Sequence, residues 1–149
     1  MRQRKILTKQ ELDELSRHIA EIEKKTTAEI RIVVRHRKHW SEHKLNARQI
    51  AAREFKTLGM KNTDEGTGVL MFVLLRERKF ELLADTGVFK VLPSEFWTML
   101  GHKLSAHFSK SNFFVGLEES LDEIGKVLEE KLPLDGKHRG ELPNDIIEE

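Results

Sequence analysis

Residues 69–85 read VLMFVLLRERKFELLAD, two apolar runs that are separated by four charged residues. The first run, residues 69–75, is apolar at every position, which is typical of a central strand that is covered on both faces. We expect the second run, residues 80–85, to return beside it as the antiparallel partner in a hairpin, although the turn over residues 76–79 lacks the usual glycine or asparagine. This stretch therefore predicts the middle of a β-sheet.

Helical and strand-like patterns on either side of the hairpin predict the rest of the fold. Thr8 and Glu11 have the spacing of a capping box at the start of a first helix, and Ser41 is expected to cap the second. The predicted elements are, in chain order, a helix over residues 8–25, a strand over 28–35, a helix over 41–58, strands over 69–75 and 79–85, and helices over 93–108 and 112–132. This order predicts an α/β protein, a three-layer α/β/α sandwich around a small mixed sheet. We expect a single domain over residues 1–132, followed by a polar tail over 133–149 that is either loose or packed as an extended arm.

The expected strand directions bring three acidic segments to one edge of this sheet. A strand–helix–strand connection is right-handed and makes strands 28–35 and 69–75 parallel, so the start of the first strand, the loop before the second and the end of the third share an edge. The acidic residues there are Glu29, Asp64, Glu65 and Asp85. Carboxylates beside loop oxygens suit a hard divalent cation, Ca²⁺ above all, and we take these four as candidate metal ligands. The alternative is that they are ordinary rim residues paired with lysine or arginine.

Composition excludes several classes of protein. The chain has 149 residues, a formal net charge of +1, and no cysteine or tyrosine, so disulfides, thiolate nucleophiles and cysteine-bound metal sites are excluded. Its longest apolar run, residues 69–75, is far shorter than the ~20 residues that a membrane-spanning helix needs. The first eight residues lack the apolar segment of a signal peptide. We therefore expect a soluble, cytoplasmic protein.

Residues 31–56 form the most basic part of the chain, with eight lysine and arginine residues against Glu42 and Glu54. With Trp40 in its middle, such a stretch is also found in proteins that bind nucleic acid or an anionic membrane surface. Much of it falls on the predicted second helix, so we interpret it as a solvated helix face, paired in part with the acidic tail. We accordingly expect neither nucleic acid nor a membrane surface as a partner, and we leave an unknown protein partner open.

A series of short motifs runs through nearly the whole chain. In order, these are Thr26-Thr27-Ala28-Glu29-Ile30, Gly68-Val69-Leu70, Arg78, Ala84-Asp85-x-Gly87, Trp97, Phe108, Gly116-Leu117, Leu132-Pro133 and Glu141-Leu142-Pro143. Their order and spacing resemble the TPM domain family, named for thylakoid-lumen, photosystem-repair and nematode receptor-modulator proteins, in its bacterial stand-alone branch. The resemblance implies an α/β/α sandwich, calcium binding at an acidic cleft to which Glu29 and Asp85 belong, and, for the plant lumen members, an acid phosphatase activity.

Together these observations predict a TPM domain that binds a divalent cation, with Ca²⁺ expected and other divalent cations left open. We expect no efficient catalysis, because the sequence places no histidine or tyrosine beside the acidic edge as a general acid or base. We assign no catalytic residue and leave open whether the protein is an enzyme. The alternatives are a metal-assisted acid phosphatase and a non-catalytic protein-interaction module.

Overall fold

A computed structural model of the protein describes residues 7–60, 66–134 and 146–148. These residues form five α-helices, a 3₁₀ turn over residues 40–42 and four strands. In chain order the elements are α1 (Lys9–Glu23), β1 (Glu29–Arg35), the 3₁₀ turn (Trp40–Glu42), α2 (Ala47–Thr57), β2 (Gly68–Leu74), β3 (Lys79–Ala84), α3 (Thr86–Phe89), α4 (Ser94–Ser109), α5 (Phe113–Lys131) and β4 (Ile146–Glu148). No helix among the described residues is long and apolar enough to span a membrane.

The four strands form one mixed sheet in the order β3-β2-β1-β4. Strands β1 and β2 are parallel, with Glu29 opposite Gly68, and β3 returns antiparallel, with Val69 opposite Ala84. The predicted crossover and hairpin are therefore confirmed. Because β1 and β2 lie inside the sheet, every one of their residues is buried.

Helices cover both faces of the sheet, which confirms the predicted α/β/α sandwich. Alternate residues of the central strands point to opposite faces: Ile30, Ile32 and their neighbours pack with α1, α4 and α5. On the other face, Val33 and Phe72 pack with α2. The sheet is thus a rigid layer between two apolar cores, and its open ends are the places where loops gather.

The first two helices differ in how well their starts were predicted. At α1 the expected capping box is present, because the Glu11 N–H donates to the Thr8 hydroxyl at 3.0 Å and Glu11 accepts from the Thr8 N–H at 2.9 Å. The second helix begins at Ala47 rather than near Ser41. Asn46 caps it, accepting from the Gln49 N–H at 2.8 Å, while the preceding turn is fixed by an ion pair of its Glu42 with a buried arginine in β1.

The described residues of the polar tail pack against the domain, in line with the extended arm that was one of the two expectations, and they add a strand whose position was not predicted. Strand β4 pairs in parallel with β1 on the side away from β2, with Ile32 opposite Ile146. Nearer the end of α5, Thr26 forms an isolated bridge with Pro133, and the Leu134 N–H donates to the Lys25 carbonyl. The tail thus contacts the domain at both places, while its predicted boundary at residue 132 stays a prediction.

Candidate functional site at the acidic edge of the sheet

The edge predicted to carry the acidic residues is formed by the starts of β1 and β2 and the end of β3. Glu29 lies opposite Gly68 in the parallel pair. Asp85, the residue after β3, lies on the other side of Gly68 and donates its N–H to the Gly68 carbonyl at 2.9 Å. The two acidic residues therefore flank one glycine in a row across three strands, as the topology predicted.

A methionine fills the space above that glycine. A Cβ built on Gly68 would lie 3.0 Å from the Met60 carbonyl oxygen and 3.2 Å from the Met60 Cβ, and Met60 itself is fully buried. Met60 therefore packs over the strand that separates Glu29 from Asp85.

Glu29 lies in a buried cluster of charges. It is 1% exposed, and its Oε2 is 3.7 Å from the Arg31 guanidinium, which also contacts Glu23 at 3.0 Å. Glu23 accepts in addition from the Ile30 N–H at 2.7 Å. Burial raises the pKa of Glu23, and the contacts with Ile30 and Arg31 only partly offset that effect. The surroundings of Glu29 therefore match the alternative expectation, in which it is an ordinary residue of the edge that pairs with an arginine.

Asp85 has a different environment. It is half-buried, and its Oδ1 accepts from the Thr86 N–H at 2.8 Å as the cap of α3. Among the ion pairs of the described residues, none includes Asp85. Gly66 packs against it with φ +65°, and a Cβ there would lie 3.6 Å from Asp85 Oδ2. The Gly66 carbonyl accepts from the Gly87 N–H at 2.8 Å, so the chain entering β2 is held beside this carboxylate.

The other two candidate ligands, Asp64 and Glu65, lie outside the described residues. They directly precede Gly66 in the sequence, the residue that packs on Asp85. Within residues 7–60, 66–134 and 146–148, no three acidic or histidine side chains are grouped so that they could hold a metal ion. Of the four predicted ligands, the structure therefore describes two, Glu29 and Asp85, one on each side of Gly68.

A groove of 470 Å³ begins at Asp85 and runs between α2 and the outer edge of β3. Its walls include Phe55 of α2 and Phe89 of α3, whose side chain is 59% exposed. Lys90 and Arg48 add two cations, and Arg48 donates to the Leu82 carbonyl at 3.1 Å. Sequence reasoning missed this groove, because α3 has only four residues and leaves no periodic pattern.

The basic stretch 31–56 is not a single solvated helix face, and that interpretation was wrong for its first part. Arg31 and Arg35 lie on β1 and are both 3% exposed. Arg35 forms ion pairs with Glu42 and Glu54. These two arginines stabilise the interior, so the exposed cations of this region come from the turn after β1 and from α2.

Comparison with known proteins gives a family and two similar solved structures. A family model described as the TPM domain matches residues 1–127. The NMR structure of the BA42 protein from the psychrophilic bacterium Bizionia argentinensis is 26% identical, with a TM-score of 0.87 over 99% of each chain. The N-terminal domain of a P. gingivalis protein is 18% identical, with a TM-score of 0.69 over 85% of this chain and 79% of that one, and shows the fold alone. No protein in the search of curated proteins matches.

Proposed function

The chain belongs to the TPM domain family, and from that premise we propose that it binds a divalent cation, Ca²⁺ in the first instance, through Asp85 and the loop residues Asp64 and Glu65. The observation that carries this is the Asp85 carboxylate, half-buried and outside the ion pairs of the described residues. Ca²⁺ takes six to eight oxygen ligands in irregular geometry. A loop that carries two more carboxylates and joins Gly66 beside Asp85 suits that preference.

The geometry favours Asp85 over Glu29 as a ligand. Glu29 is buried beside Arg31, and a cation that joined it would have to compete with that guanidinium at close range. No ion pair within the described part of the chain includes Asp85, and its Oδ2 lies beside Gly66, the residue that directly follows the acidic loop in the sequence. We therefore expect Glu29 to position the start of β1 and Asp85 to contact the ion.

We expect binding without efficient catalysis. General acid–base chemistry needs a side chain with a suitable pKa within hydrogen-bond reach of the substrate. The chain has no tyrosine or cysteine, and no histidine is among the described residues that line the groove beside Asp85. A bound cation would instead fix the loop against α3, next to the exposed ring of Phe89, and so shape a surface for a protein partner.

Melting curves with and without millimolar CaCl₂ test cation binding. A ligand present at ~100 times its Kd adds about 2.7 kcal/mol to the free energy of unfolding, which raises Tm by roughly 2–8 °C. Asp85→Asn removes the charge but keeps a side chain that can cap α3, so we expect the Ca²⁺-dependent rise in wild type and its loss in this variant. Asp64→Asn and Glu65→Gln are expected to reduce it.

Two further variants serve as controls. Asp13→Asn makes the same chemical change at an exposed position of α1 and should keep the full Ca²⁺ response. Glu29→Gln should lower Tm both with and without CaCl₂, because it leaves Arg31 with one carboxylate fewer. The rise in Tm that Ca²⁺ causes should stay the same as in wild type. An absent response in wild type would overturn cation binding, and an equal response in Asp85→Asn would show that Asp85 is not a ligand.

A second candidate function is metal-assisted phosphate-ester hydrolysis. What favours it is that Arg48 and Lys90 line the same groove as Asp85, because such cations bind phosphate oxygens. A divalent ion held by Asp85 would polarise a phosphoryl oxygen. Release of phosphate from p-nitrophenyl phosphate that needs the metal and is lost in both Asp85→Ala and Lys90→Ala would favour this function. If wild type releases no more phosphate than Asp85→Ala, cation binding without hydrolysis is the function that remains.

A further inference from the structure

The opposite end of the sheet carries a surface built from two adjacent turns, residues 36–44 after β1 and residues 75–79 between β2 and β3. We call it the basic turn surface. The two turns are held together by backbone hydrogen bonds, since the Arg76 N–H donates to the His36 carbonyl at 2.8 Å. An ion pair between Lys38 and Glu77 at 3.2 Å adds a side-chain link. The surface is therefore one fixed unit of the fold.

Its charge is strongly positive. The two turns contain six lysine and arginine residues and two glutamates: Arg37, Lys38, Lys44, Arg76, Arg78, Lys79, Glu42 and Glu77. Glu42 is buried against Arg35, and Glu77 pairs with Lys38, so neither offsets the other five cations, all of which are exposed. Strand β4 reaches this end of the sheet on the far side of β1 from the hairpin.

Trp40 projects from the middle of this positive surface. It is 90% exposed, the largest exposed fraction among the big apolar side chains of the described residues. It lies on the 3₁₀ turn, and His43 is its ring neighbour at 6.5 Å between centroids. A tryptophan exposed to this degree contributes little to the core, so its ring is available to a partner.

The hairpin places a cation at a position where the backbone is strained. Arg78 adopts φ +53°, the left-handed conformation that favours glycine or asparagine. Its N–H donates to the Leu75 carbonyl at 3.0 Å to close the turn. A glycine would close this turn without strain, yet the position holds an exposed cation beside Arg76 and Lys79.

We propose that the basic turn surface docks on an anionic lipid bilayer, with the Trp40 indole at the level of the headgroups and the surrounding cations on their phosphates. Tryptophan is enriched at this depth of a membrane because it joins an apolar ring to a polar N–H. Each lysine or arginine near an anionic surface strengthens binding about fivefold. Surface contact of this kind needs no spanning helix.

The arrangement fits a bilayer better than a nucleic acid. Single-stranded nucleic acid is held in grooves where successive bases stack on several aromatic side chains, whereas this surface offers one tryptophan at the tip of a turn. The sequence alone predicted neither nucleic acid nor a membrane surface as a partner. Two of the cations in stretch 31–56 are buried, and the cations of residues 76–79 were assigned to a turn without being counted with Trp40.

Fluorescence of Trp40 gives a direct test. The chain has two tryptophans, so Trp97→Phe leaves Trp40 as the only reporter. In low salt with EDTA, which removes any divalent cation, vesicles of phosphatidylcholine with phosphatidylglycerol should shift its emission to shorter wavelength. Vesicles of phosphatidylcholine alone should not, and 0.5 M NaCl should reverse the shift. No shift with the anionic vesicles would overturn the proposal.

Vesicle co-sedimentation of variants separates the surface from net charge. Arg76→Glu should weaken binding at least about fivefold, as should Trp40→Ala, which removes a side chain that the fold does not use. Lys126→Glu changes net charge equally on an exposed position of α5 and should have a smaller effect. Equal weakening by Lys126→Glu and Arg76→Glu would overturn the proposal, as would a Trp40 response to oligo(dT) with none to vesicles.

Discussion

Arg35 is buried at the end of β1, and two carboxylates offset the cost of placing its charge there. It pairs with Glu42 of the 3₁₀ turn and Glu54 of α2, and its guanidinium is 5.8 Å from the centre of the Phe72 ring. Burial alone would lower the pKa of Arg35, but the hydrogen bonds to the two carboxylates raise it overall. The charge is therefore retained in the interior by these contacts.

Removing Glu42 should destabilise the fold in a pH-dependent way. Burial alone would raise the pKa of Glu42, but the hydrogen bonds from Arg35 and the His39 N–H outweigh it and lower the pKa overall. A carboxyl whose pKa falls on folding adds stability above its unfolded value near 4.3, and that stability is lost as pH falls through the folded value. We expect Glu42→Gln to cost about 1.5–3 kcal/mol at pH 7, and less at pH 3, in urea unfolding.

A glutamate on the surface provides the matched comparison. Glu21 pairs with Lys24 in solvent, so Glu21→Gln should leave the free energy of unfolding nearly unchanged at pH 7, because exposed pairs contribute little. If Glu42→Gln unfolds at the same urea concentration as wild type, the buried pair does not hold the turn that carries Trp40.

At the level of elements, the contact between α1 and α5 depends on a glycine. A Cβ built on Gly125 would lie 2.9 Å from Ile22 Cγ1, and the branched isoleucine has little freedom to move away. Gly125→Ala should therefore destabilise the protein by about 1–3 kcal/mol, despite the better helix propensity of alanine. In α4, a Cβ on Gly101 would meet Phe80 at 3.4 Å, an ordinary contact.

Thermal unfolding of the two glycine variants compares these contacts. Gly101→Ala should be neutral or more stable than wild type by up to about 1 kcal/mol, since alanine favours the helix by that amount. Gly125→Ala should melt at a lower temperature than either. If both variants were stabilised equally, α1 would be able to move away from α5 without loss of stability.

The elements that could be predicted from the sequence are those with long periodic or apolar patterns. The apolar run 69–75 and the Thr8 capping box gave β2 and α1 almost to the residue. The start of α2 could not be predicted, because Ser41 and Asn46 are both good caps and the choice depends on the pairing of Glu42 with Arg35. The three-residue strand β4 has no pattern of its own and exists by pairing with β1.

The candidate site was predicted through topology and only in part. Parallel and antiparallel pairing put Glu29 and Asp85 at one edge, as the order of elements required. The partner of each carboxylate depends on tertiary contacts that the sequence does not show. Glu23 of α1 shares Arg31 with Glu29, and Met60 packs into the space that Gly68 leaves open.

At the scale of the whole molecule, the two proposed binding regions lie at opposite ends of the same rigid sheet. Strand β1 has seven residues, which span about 20 Å, whereas the Debye length is about 8 Å at physiological ionic strength. Charge at one end is therefore screened from the other. The central strands between them are buried at every position.

The two regions should accordingly bind independently. If they were coupled, Ca²⁺ at Asp85 would change affinity for vesicles, and vesicles would change affinity for Ca²⁺ by the same factor. Ca²⁺ also binds anionic lipid, so the informative quantity is the ratio of vesicle affinities with and without Ca²⁺, measured by co-sedimentation for wild type and Asp85→Asn. We expect this ratio to agree within about twofold between the two proteins, the scale of a coupling free energy below the usual 1 kcal/mol. A larger difference would mean that cation binding is transmitted through the sheet to the turn that carries Trp40.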